Sequence, residues 1–125
     1  MNVEIFKRNI KLQELGIGKL SSVEQKILDF LNENLTDLNA YTTNNYLNYL
    51  FFGKNKENIV LEYNKESGYL YVSCDRIWSF FESEFDIKDI DIQMVIGWYL
   101  GNTLNLKVNH IYGINGINGI KLVIL

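Results

Sequence analysis

Residues 59–106, IVLEYNKESGYLYVSCDRIWSFFESEFDIKDIDIQMVIGWYLGNTLNL, decide the fold. Two β-branched and aromatic stretches, Ile59 to Tyr63 and Tyr69 to Ser73, flank the polar segment Asn64 to Gly68. That order predicts an antiparallel hairpin, since side chains on a pleated strand need apolar or aromatic neighbours while the reversal needs residues that turn. A helix is expected next, with Asp75 able to cap its start. It presents Ile77, Trp78, Phe81 and Phe85 inward and Glu82 and Glu84 outward. A second helix, from about Asp89 to Thr103, differs in kind. Between Ile92 and Leu100 only Gln93 is strongly polar, so this helix is expected to be buried on more than one side, with Trp98 in its interior stretch. Gly97 and Gly101 lie four apart and would let a neighbour approach its backbone closely, at some cost in helix propensity.

Upstream, Asn2 to Leu15 reads either as a helix burying Val3, Phe6 and Ile10, with Gly16 past its end, or as an extended arm through Val3 and Ile5. Ser21 followed by Glu24 is a capping-box pattern, in which each side chain satisfies a free backbone donor at a helix start. Beyond it, Val23, Ile27, Phe30, Leu31 and Leu35 share one face, which predicts an amphipathic helix from about Ser22 to Leu35. The uncharged stretch Thr42 to Phe52, carrying Tyr46, Leu47, Tyr49, Leu50, Phe51 and Phe52, is expected to be a second, buried helix stopped by Gly53.

At the C-terminal end, Lys107 to Ile114 and Ile120 to Leu125 are strand-like, and between them Ile-Asn-Gly occurs twice, at Ile114 to Gly116 and Ile117 to Gly119. Asn-Gly favours the tight type I′ turn because both residues tolerate positive φ. The hairpin thus has two candidate turns three residues apart. An odd shift would exchange the faces of one strand, so the register must be chosen by burying Leu122 and Ile124 or Val123 and Leu125.

The chain has 125 residues, 47% hydrophobic and 22% charged, enough for one domain with a sizeable core; residues 1–20 could stand apart as a helix or arm. It has no proline, 16 asparagines and 15 isoleucines, a bias with no functional reading of its own. One cysteine cannot form an internal disulfide. Glu4, Lys7 and Arg8 interrupt the first residues, and no later stretch approaches 18 apolar residues. A cytoplasmic protein without a membrane span is expected. The net charge of −3 argues against nucleic acid, because phosphate contacts demand a basic surface.

Few side chains offer chemistry. Cys74 and the single histidine, His110, would make a nucleophile and base only if the fold joined them and a third group oriented the ring. No supporting signature accompanies them. Gly113, Gly116 and Gly119 precede a strand, whereas phosphate-cradling glycines follow a strand and open a helix. No metal or cofactor is expected. The carboxylates Glu82, Glu84, Asp86, Asp89 and Asp91 crowd the junction of two helices with only Lys88 against them. Part of that cluster is ordinary helix capping, but five acids exceed what caps require, and a docking patch for a basic protein partner is the functional reading. Tyr63, Tyr69 and Tyr71 are expected to cover the first hairpin, and tyrosine is also favoured at interfaces.

The order of elements resembles a winged-helix domain. Ser21 to Leu35 would be its first helix, Thr42 to Phe52 its recognition helix and Ile59 to Ser73 its wing. That resemblance implies nucleic-acid binding, yet the would-be recognition helix has no Lys or Arg, and Lys65 is the only basic residue of the wing.

The expected architecture is α+β: two antiparallel β-hairpins, separate or joined in one sheet, packed against three or four helices. The expected function is a non-enzymatic protein-binding module, of inhibitor or immunity type or a small subunit of an assembly. A winged-helix-like nucleic-acid binder is the alternative, followed by a small enzyme using Cys74 and His110.

Overall fold

The computed structural model describes residues 2–85, 87, 89–103, 106–114 and 117–124, with backbone alone at 89, 90 and 103 and in the last two stretches. The chain runs α1 (Val3–Glu14), α2 (Ser22–Asn34), β1 (Asn39–Tyr41), β2 (Tyr49–Gly53), β3 (Ile59–Asn64), β4 (Tyr69–Val72), α3 (Asp75–Phe85), α4 (Asp89–Thr103), β5 (Leu106–Ile114) and β6 (Ile117–Ile124). The strands form one antiparallel sheet in the order β1-β2-β3-β4-β6-β5, so the two expected hairpins are joined edge to edge through β4 and β6. The architecture is α+β.

Of the two readings of the N-terminal segment, the helix is found. Val3, Phe6 and Ile10 bury one face of α1, and Asn2 caps it by accepting from the Ile5 amide. Gly16 follows at φ +74°, and the amides of Gly16 and Ile17 donate back to the carbonyls of Gln13 and Leu12. This reversal satisfies carbonyls that the helix end leaves free, in a backbone conformation glycine adopts without strain. In α2 the capping box forms as expected between Ser21 and Glu24. The second Glu24 oxygen accepts from Asn9 of α1 at 2.8 Å, which ties the two helices together. Ile27, Leu31 and Leu35 are fully buried, each contributing about 1.5–3 kcal/mol. Val23, expected on the same face, is exposed, and the buried stripe begins one turn later, at Ile27.

Residues 42–53 are not a helix. Turns occupy 43–48, and Tyr49–Gly53 is strand β2 between β1 and β3. The uncharged run is ambiguous in isolation, but as a strand it alternates. Leu50 and Phe52 pack on the core, while Tyr49 and Phe51 fall to the opposite face. The winged-helix resemblance therefore lapses at the element that would have entered the groove. Gly53 ends a strand instead of a helix, and a Cβ there would lie 2.2 Å from the Asn58 carbonyl oxygen.

A bulge follows. Phe52 pairs with Leu61, yet Gly53 pairs with Ile59, which leaves Val60 as the extra residue of β3. Consecutive residues of a regular strand face opposite ways, so the bulge is what allows Val60 and Leu61 both to be buried. The β3–β4 hairpin closes as expected: Asn64 accepts through its side chain from the amides of Glu66 and Ser67, and Gly68 sits at φ +77°.

Asp75 lies within the first turn of α3, where its charge favours the positive helix end; it is not the preceding cap residue. Ile77 and Phe81 are fully buried, Trp78 and Phe85 half-buried, and the Trp78 indole donates to the Val72 carbonyl. In α4, Ile92, Val95, Ile96 and Leu100 are fully buried, with Tyr99 and Gln93 nearly so, and the helix packs on β5, β6, α3 and α1. Trp98 differs from its neighbours: it is half-buried, with its ring edge-on to Phe6 at 6.1 Å. In the last hairpin Ile114 pairs with Ile117; the first Asn-Gly, at 115 and 116, lies outside the described residues, and the second lies within β6. The side chains expected to choose that register, Leu122 to Leu125, lie outside the described side chains.

Candidate functional site

The five acids are only partly placed. Glu82 and Glu84 are exposed on α3, and Asp91 is half-buried on α4. Asp86 and Lys88 lie outside the described residues, and Asp89 is described by its backbone alone. Among the described residues no group of three or more histidine, cysteine or acidic side chains is arranged to hold a metal ion. No helix among them is long and apolar enough to cross a membrane.

His110 lies in β5, whereas Cys74 lies outside the sheet, between β4 and α3. His110 pairs with Ile120 of β6, and Ile120 with Leu70 of β4. Two strand spacings, ~10 Å, thus separate the backbones of His110 and Leu70, and Cys74 lies four residues further along the chain. Cys74 is half-buried against the core at the entry to α3.

Two clefts flank the helices. One, of about 520 Å³, lies between α1, α2 and α4, with Lys7, Lys11 and Asn102 on its walls beside Trp98 and Tyr99. The Tyr99 hydroxyl donates to the Asn32 side-chain oxygen there. Lys7 is already paired with Glu4 at 3.2 Å. The second, of about 230 Å³, contains Asn34 and Arg76, which are hydrogen-bonded to each other at 2.8 Å.

The most distinctive surface is the face of the sheet turned away from the core. Leu61, Tyr63, Leu70 and Val72 point into the helix layer, and the other alternation of β2, β3 and β4 points out. Two rows cross that outer face. One runs Tyr41, Phe51, Glu62, Tyr71; the other runs Tyr49, Asn64, Tyr69. All seven are half-buried. Tyr49 and Phe51 stack nearly parallel at 6.0 Å, and Tyr46, from the loop before β2, sets its ring edge against both. Tyr69 and Tyr71 meet at 6.3 Å, and Lys56 lies over the Tyr41 ring at 6.0 Å. Burial, with Tyr49 and Tyr69 alongside, pushes the Tyr71 phenol above the usual tyrosine range. A pocket of about 410 Å³ opens where Tyr41, Tyr46, Phe51 and Ile59 converge beside Thr42 and Lys56.

Sequence reasoning places Tyr63, Tyr69 and Tyr71 together on the hairpin, but the structure divides them. Tyr63 goes to the core, and the other two stay outside. Tyr41, Tyr46, Tyr49 and Phe51 were missed as surface groups because the segment carrying most of them reads as helix. Its period-two signal, aromatic at Tyr49 and Phe51 and core-facing at Leu50 and Phe52, was the available clue.

Comparison with family models, with curated protein sequences and with solved structures finds no match to this chain.

Proposed function

We propose that the chain is a non-enzymatic protein-binding module that meets a basic partner through the open aromatic face of its sheet. One observation carries this reading: Tyr41, Tyr46, Tyr49, Phe51, Tyr69 and Tyr71 stand together on the side away from the core. A tyrosine ring offers large contact area at small entropy cost, and its hydroxyl keeps the unbound face wetted. Such groups are enriched where partners dock. The rings would also stack nucleic-acid bases, but Glu62 stands in the middle of the row, where it would repel phosphate. Glu82 and Glu84 of α3 are a second, electrostatic contribution, acting on the rate of encounter more than on its strength. An inhibitor or immunity-type protein fits this description, as does a small subunit of an assembly. The proposed setting is cytoplasmic.

The test starts with affinity capture from the native cell and continues with binding kinetics on the purified captured protein. Tyr49→Ser with Tyr69→Ser is expected to weaken binding about tenfold or more while circular dichroism stays that of the parent. Glu82→Lys with Glu84→Lys is expected to slow association and reduce its salt dependence. If charge reversal abolishes binding and the folded tyrosine variant binds like the parent, the docking surface is α3 and not the sheet.

A further inference from the structure

We infer that Glu62, with Phe51 on one side and Tyr71 on the other, is a seat for an arginine side chain of the partner; this rests on the docking face proposed above. The register places Phe51 of β2 and Tyr71 of β4 directly opposite Glu62 of β3. Directly paired residues share a face, and adjacent strands are ~4.8 Å apart, so the two ring-bearing backbones stand ~10 Å apart across the carboxylate. That width admits a planar group lying against a ring face while reaching the acid between them.

Glu62 is half-buried, and among the described residues no hydrogen bond or ion pair reaches its carboxylate. A carboxylate set between two rings offers an incoming cation an opposite charge beside apolar surface. Flanking rings present electron-rich faces, which also favour a cation. The guanidinium answers both demands, because its flat surface stacks on aromatics while its fork of N–H donors matches a carboxylate. An ammonium can lie over a ring but lacks the flat surface and the paired donors. The same row already uses this chemistry at its outer end, where Lys56 sits over Tyr41. Beyond Tyr71 the register places Gly119, a residue without a side chain.

The probe is the blocked tripeptide Gly-Arg-Gly, titrated at millimolar concentration into the isotope-labelled full chain and followed by backbone amide shifts. Matched peptides carry lysine or citrulline, the latter being the uncharged isostere of arginine. The arginine peptide is expected to move the amides of Phe51, Glu62 and Tyr71. It should bind at least fivefold more tightly than the citrulline peptide and more tightly than the lysine peptide. Glu62→Gln is expected to remove that advantage while leaving the thermal midpoint within a degree or two of the parent. Equal binding of arginine and citrulline, equal binding of arginine and lysine, or an unchanged response in Glu62→Gln each overturns the seat. A midpoint lowered by many degrees does so too, since the carboxylate would then serve the fold. An oligothymidylate that moves the same amides more strongly overturns it in favour of nucleic acid, and sedimentation showing self-association through this face overturns it in favour of a second copy. If Glu62→Gln leaves the captured partner's binding intact while Tyr49→Ser with Tyr69→Ser destroys it, the seat fails and the docking face stands. If neither variant matters, both fail.

Discussion

Arg76 of α3 donates its guanidinium to the side-chain oxygen of Asn34, the buried amide in the last turn of α2, at 2.8 Å. The Asn34 amide nitrogen donates in turn to the Phe30 carbonyl. One polar side chain thereby closes a helix and joins it to another 42 residues away. Asn34→Ala is expected to cost about 1–3 kcal/mol in denaturant unfolding, because the Phe30 carbonyl and Arg76 both lose a partner. Arg76→Ala should cost less, since water from the adjoining cleft can replace it at the Asn34 oxygen. A double-mutant cycle showing no coupling between the two positions would refute the link.

Gly53, crowded by neighbouring carbonyls, and Gly16, at positive φ, should respond differently to substitution. Gly53→Ala pushes a methyl into the Asn58 and Asn55 carbonyl oxygens, at 2.2 and 2.9 Å, and is expected to cost about 2 kcal/mol or more. Gly16→Ala meets nothing within 4 Å and pays only for its left-handed backbone, about 1–2 kcal/mol. Asparagine at position 16 should recover part of that loss, whereas asparagine at position 53 should not; thermal unfolding of the four variants decides.

Core position outranks residue size in α3 and α4. Phe81 is fully enclosed, and Phe81→Ala is expected to cost about 3–5 kcal/mol. Trp98 keeps one side on a cleft, and Trp98→Ala should cost about 1–3 kcal/mol, with loss of the edge contact to Phe6. Unfolding titrations that reverse this order would mean that α4 is seated differently against α1.

Glu24 makes acid stability testable. Burial raises its carboxyl pKa, but the Ser21 amide, the Asn9 side chain and the Ser21 hydroxyl outweigh that and hold it below the usual glutamate value. A carboxyl depressed in the folded state adds stability that is present above its unfolded value and lost as pH falls through the folded one. The parent should therefore lose stability across that acid window more steeply than Glu24→Gln, measured as thermal midpoint against pH. Identical acid limbs would show that the capping box adds nothing as a charge.

Cys74→Ser and His110→Gln are expected to leave partner binding at parental strength, because the proposed function assigns neither residue any chemistry. Loss of all biological activity in either variant, with binding and fold intact, would bring an enzymatic role forward.

Local pattern was enough wherever one segment carries its own signal. The Ser21–Glu24 capping box, the β3–β4 hairpin around Asn64 to Gly68 and the all-round apolar stretch of α4 are each legible from residues a few positions apart, because their hydrogen bonds and periodicities are local. Leu47 to Phe52 is the opposite case. An uncharged apolar run fits a helix or a strand equally, and only pairing with β3, whose residues come later in the chain, makes it β2 and sends Tyr49 and Phe51 outward. The same holds for Val60, which shares the core with Leu61 only through a bulge that no single strand encodes. The acidic junction could be read as a cluster because its members are neighbours in sequence. The aromatic face could not, since Tyr41, Phe51, Glu62 and Tyr71 come from four strands. Local periodicity and turn chemistry determined α2, α3, α4 and the β3–β4 hairpin. Cross-strand register, a property of long-range pairing, decided which side chains meet on the surface now proposed to bind.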